Sequence, residues 1–105
     1  MAKHIRKIRR IKEEISQPLT WDNCKSGQKI MGPYQNDRDF LIEVIDIEYN
    51  PIDNGNKYIN YELLAALPGR KYDRKGRIEI RKDEDRLMMI VSSKEANKYM
   101  KLWGA

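Results

Sequence analysis

The chain predicts an α+β fold: a small antiparallel sheet of about four strands in two hairpins, flanked by an N-terminal and a C-terminal helix. Three observations point there. Ile5, Ile8, Ile11 and Ile15 recur at helical steps. The segments 40–49 with 57–61, and 76–82 with 86–92, have the composition of paired strands. Ser92 and Glu95 open a capping box ahead of an apolar stripe. At 105 residues, with 40% hydrophobic and 35% charged residues, the chain can build one core under a heavily solvated surface.

The N-terminal segment 1–17 is expected as a basic amphipathic helix, its isoleucines gathered on one stripe, ending near Ser16 because Pro18 disfavours helical geometry at Gln17. Residues 18–105 form the remaining α+β domain. Residues 17–39 hold two prolines and two glycines and predict mostly loop, with Trp21 and Tyr34 as anchors into the core and room for a short helix near 21–26. FLIEVIDIEY (40–49) predicts an interior strand: Leu41, Ile45, Ile47 and Tyr49 on one face, Phe40, Ile42 and Val44 on the other. Asn54-Gly55 signals a turn into a return strand, KYINY. ELLAAL then has helix propensity until Pro68-Gly69, which predicts a short helix or turn. GRIEIRK and RLMMIVS predict a second hairpin, and Ala96, Tyr99, Met100 and Trp103 line the inner face of the closing helix.

The net charge of +5 is unevenly placed. KHIRKIRRIK (3–12) carries Lys3, Arg6, Lys7, Arg9, Arg10 and Lys12 without an acid, leaving 15 basic and 16 acidic residues elsewhere. A second basic run, RKYDRKGRIEIRK (70–82), holds Arg70, Lys71, Arg74, Lys75, Arg77, Arg81 and Lys82 against Asp73 and Glu79, with Tyr72 among them. Lysine and arginine clusters meet phosphates without reading sequence, and an aromatic ring among cations can stack an unpaired base. Asp37, Asp39, Glu43, Asp46, Glu48 and Asp53 form an opposing acidic stretch whose only base is Arg38.

These patterns predict a non-catalytic nucleic-acid-binding protein. Its contacts would be Lys3, Arg6, Lys7, Arg9, Arg10, Lys12, Arg70, Lys71, Tyr72, Arg74, Lys75 and Arg77. RNA is slightly favoured over DNA, since no helix-turn-helix or zinc-finger pattern offers a major-groove reader. The bland alternative is that the charges merely solvate exposed faces. A second functional class is a regulator or inhibitor that docks on a larger protein, such as one that itself handles nucleic acid, through its segregated charge. A more distant reading is a metal-dependent nuclease, with Asp46 and Glu48 sharing a strand face beside a third acid and a lysine; separately, Asp53 followed by Glu79 and Lys82 loosely resembles the acid, acid and lysine order of restriction-type nucleases, with the lysine one place late. Phosphate-cradling glycine motifs and hydrolase elbows are absent from the sequence, and no cofactor or metal is expected. Cys24 stands alone, so neither a disulfide nor a cysteine zinc site is expected, and no apolar run is long enough to span a membrane; a reducing cytoplasm is the expected setting.

Overall fold

A computed structural model describes residues 16–34, 36–49, 51–52, 55–82 and 88–104. They form one antiparallel sheet and one helix: β1 (Gln17–Pro18), β2 (Lys29–Pro33), β3 (Arg38–Tyr49), β4 (Lys57–Ala66), β5 (Lys75–Ile80), β6 (Met89–Val91) and α1 (Ser93–Leu102). The strand order is β1-β6-β2-β3-β4-β5, and every neighbouring pair is antiparallel. Six strands replace the four expected, and sheet dominates. The expected N-terminal helix falls on residues 1–15, outside the described residues. Its final position is corrected, since Gln17 is a strand residue facing Ile90.

The β3–β4 hairpin forms as expected, with Tyr49 opposite Lys57 and Ile47 opposite Ile59. A bulge between Val44 and Asp46 reverses the face of everything after it. Ile47 therefore joins Ile42 and Val44 on one side of the sheet, and Ile45, expected beside Leu41, is half exposed. ELLAAL does not turn helical. It extends β4, with Leu63 opposite Ile42 and Ala65 opposite Leu41. So short a segment has little helical stability alone, and pairing across β3 outweighs its propensity.

Two further corrections concern long-range pairing. The 17–39 stretch contains two strands, because KIMGP lies between β3 and β6. Gly32 marks the closest approach there: a Cβ would stand 2.7 Å from Met88 Cγ and 2.8 Å from Phe40 Cζ. Residues 21–26 are turns rather than a helix, and Tyr34 is exposed, whereas Trp21 does pack against the core. The second hairpin does not form either. β5 pairs with β4, while β6 inserts between β1 and β2. Composition explains the separation. Met88, Met89 and Val91 are buried and divided between the two sides of the sheet, so β6 needs an interior place; β5 turns only Ile78 and Ile80 toward the core and suits an edge.

One side of the sheet buries Leu19, Ile30, Ile42, Ile59, Ile80 and their neighbours beneath the 19–28 loop and Tyr72. The other carries Met31, Leu41, Ala65, Met89 and Val91 under α1. Each fully buried Leu, Ile or Met contributes about 1.5–3 kcal/mol. The helix agrees with its sequence: the Ser92 hydroxyl accepts from the Glu95 amide at 3.1 Å, and Ala96, Tyr99, Met100 and Trp103 face the sheet. Among the described residues no helix is long and apolar enough to cross a membrane.

Candidate nucleic-acid interface

Four parts of the chain meet at the end of the sheet where β3 begins. The hydroxyl of Ser16, the first described residue, donates to the Glu95 carboxylate in the first turn of α1, and the Arg38 guanidinium donates to the same carboxylate. Next along β3, Asp39 pairs with Arg70 at 3.6 Å and accepts from the Tyr72 hydroxyl at 3.5 Å, while its carbonyl accepts from the Leu67 amide at 2.8 Å. These contacts gather the attachment point of residues 1–15, α1, the start of β3 and the 67–74 loop. Burial alone would raise the Glu95 carboxyl; the Ser16 hydrogen bond and the Arg38 guanidinium instead hold it below its usual value.

Lys3, Arg6, Lys7, Arg9, Arg10 and Lys12 lie outside the described residues, so only their tether at Ser16 is placed. The 70–82 run divides. Arg70 is committed to Asp39. Arg77 pairs with Glu48 at 2.9 Å and lies over the Tyr58 ring at 4.4 Å. Arg81 pairs with Glu79 at 3.2 Å, and Lys82 stands 5.2 Å from the Trp21 ring centre. Tyr72 packs edge-on against Phe40 at 5.1 Å, so its ring belongs partly to the core. Lys71, Arg74 and Lys75 are exposed and form no ion pair among the described residues. Among the described residues of the second basic run, these three have neither an ion pair nor a ring contact, and Lys82 has only its approach to the Trp21 ring.

Sequence reasoning about the closing helix weighed its apolar stripe and passed over its outer face. Lys94, Lys98 and Lys101 are exposed there beside Asn97 and Leu102. Glu95, the one acid of α1, is turned toward Ser16 and Arg38. The signal was legible as lysines at steps of four and three along a helix whose other face is apolar.

Two acids of the acidic stretch lie elsewhere. Beyond α1, the same side of the sheet carries Asp46 and Glu48 on β3, both accepting from the Asn60 amide, with Glu48 also held by Arg77. No group of three or more metal-ligating side chains occurs among the described residues, and Asp53 lies outside them. Asp46 and Glu48 thus sit in a surface network of hydrogen bonds and one ion pair, which offers the nuclease reading no support.

A second aromatic and cationic cluster lies near the β4 start. Lys57 Nζ stands 3.9 Å from the Trp21 ring centre and donates to the Trp21 carbonyl at 2.9 Å, Trp21 Nε1 donates to the Gly55 carbonyl at 2.7 Å, and Tyr49 meets the indole edge-on. Cys24 is buried beside it, and burial pushes its thiol up despite the nearby Lys57 charge. No protein-family model, curated protein or solved structure matches the chain.

Proposed function

We propose that this is a non-catalytic protein that binds single-stranded nucleic acid, with RNA favoured, through the phosphates. The observation that carries the reading is a set of exposed cations that form no ion pair among the described residues, Lys98 and Lys101 on α1 and Lys71, Arg74 and Lys75 ahead of and at the start of β5, while Asp39 and Glu95 are taken by Arg70 and by Arg38 with Ser16. Phosphates would meet cations whose charge is not spent within the fold. Exposed ammonium groups contribute little to folding and are available for counterion release on a polyanion.

Five such contacts give a slope of log affinity against log salt of about −3.5 on a single strand, at about −0.7 per phosphate. Fluorescence anisotropy with a labelled single strand across about 50–200 mM salt tests this. Flat titrations at the lowest salt would refute it.

One observation favours a second reading. The acidic β3–β4–β5 face, which α1 leaves uncovered, suits a basic surface on a larger protein and would make the chain a docking regulator. Recovery of a stoichiometric protein partner from nuclease-treated extract supports that reading; loss of every partner removes it.

A further inference from the structure

We propose that the apolar cavity beneath the 67–74 loop is a base pocket, which takes one unpaired nucleobase of the strand whose phosphates the neighbouring cations hold; the proposal rests on the nucleic-acid reading above. The cavity measures about 200 Å³ and is lined by Phe40, Ile42, Tyr61, Leu63, Tyr72 and Ile78. Its shape has an identifiable origin. Tyr61 of β4 faces Gly76 of β5, and a Cβ at residue 76 would stand 2.5 Å from the Tyr61 hydroxyl and 2.7 Å from its Cζ. Because residue 76 has no side chain, the phenol lies close along the β5 backbone, and space remains between it and Tyr72, which is braced edge-on by Phe40.

Three features select the occupant. The walls are almost wholly apolar and include three aromatic rings, which suits a flat π-system. The polar groups of the lining side chains are the two phenol hydroxyls; that of Tyr72 donates to Asp39, which leaves the Tyr61 hydroxyl to donate at the rim. The loop and strand that border the cavity expose Lys71, Arg74 and Lys75 against one exposed acid, Asp73 near Tyr61, while Asp39 beside Tyr72 is paired with Arg70; the net positive charge favours an occupant joined to negative charge over a neutral peptide side chain. A base within a duplex is stacked and paired and cannot enter; a base in a single strand can.

The test compares three labelled ligands of equal phosphate count: a single strand of about 12 nucleotides, an abasic strand of the same length, and a duplex. The expected result is binding of the full single strand about tenfold tighter than the abasic strand, in the range that stacking one base on aromatic side chains supplies. That advantage should disappear in Tyr61→Leu and survive in Tyr61→Phe. Equal affinity for full and abasic strands would overturn the base pocket and leave phosphate binding intact. Binding of neither strand would overturn both. An advantage that persists in both Tyr61→Leu and Tyr72→Leu would place the base elsewhere and overturn the assignment. The wild-type comparison stands even where a variant fails to fold.

Discussion

Glu95 is the joint between the start of the described chain, β3 and α1, and replacing it by Gln isolates its charge. In the native protein it accepts from the Ser16 hydroxyl and from Arg38, whose side chain is 26% exposed against 25% for Glu95. Hydrogen bonds to charged groups contribute about 1.5–3 kcal/mol, and partial exposure lowers that. Glu95→Gln preserves an acceptor for Ser16 but strips the charge that holds a half-buried guanidinium, so the expected loss near pH 7 is about 1–2 kcal/mol. For a domain of this size that lowers Tm by roughly 5–15 °C. The pH dependence follows from the direction of the shift. The folded-state carboxyl lies below its usual value of 4.5, so its stabilisation is complete above the unfolded value and is lost as pH falls through the lower folded value. Urea unfolding of both proteins should therefore show a constant gap from about pH 8 down to about pH 5, closing at more acid pH. Equal stability near pH 7, or a gap that persists unchanged to about pH 2, would show that the Glu95 charge does not stabilise the fold.

Three other outcomes are expected. Gly32→Ala forces a methyl against buried Met88 and Phe40 and should cost about 1–3 kcal/mol by thermal unfolding, with a smaller cost in a Met88→Ala background; a neutral Gly32→Ala would contradict the packing described. Lys98→Gln with Lys101→Gln should make the single-strand salt slope less negative by about 1.4 while Tm moves by less than a few degrees, since both side chains are exposed; an unchanged slope would remove α1 from the interface. The Cys24 thiol, buried and with its pKa raised chiefly by that burial, should react with a disulfide reagent near pH 8 far more slowly in the native protein than in urea, and equal rates would show the site to be open.

What the sequence disclosed depended on how local the cause was. The capping box at Ser92, the inner stripe of α1 and the turn between β3 and β4 rest on residues close in sequence, and each is found where the pattern puts it. β2 was hidden because Gly32 and Pro33 read as loop residues, although Gly32 is there to let Met88 and Phe40 close over the strand. The partner of β6 was hidden for a different reason. Adjacent strands usually pair, and the burial of Met88 and Met89 on opposite sides of the sheet, which demands an interior place, emerges only once β2 is in position. ELLAAL became strand because a neighbour was waiting on β3, which no propensity records.

The candidate interface divides along the same line. Charge runs are visible in one dimension, but pairing is not: Arg70, Arg77 and Arg81 are spent on Asp39, Glu48 and Glu79, distant or across-strand partners for the first two. The lysines of α1 were legible by helical spacing. The Ser16, Glu95 and Arg38 contacts that hold the first turn of α1 against the start of β3 were not. The aromatic cavity follows from the Tyr61 and Gly76 register, which depends on the β4–β5 pairing.

On the proposed reading the exposed cations of α1 and of the 67–75 segment, and not the acidic face of the sheet, meet the polyanion. Amide chemical-shift mapping during titration with a short single strand tests it most directly. The expected shifts concentrate in α1, in the 67–75 segment and around Ser16 and Arg38, with Asp46, Glu48 and Asn60 unmoved. Shifts centred on Asp46, Glu48 and Asn60, or a spectrum that does not change at low salt, would contradict it.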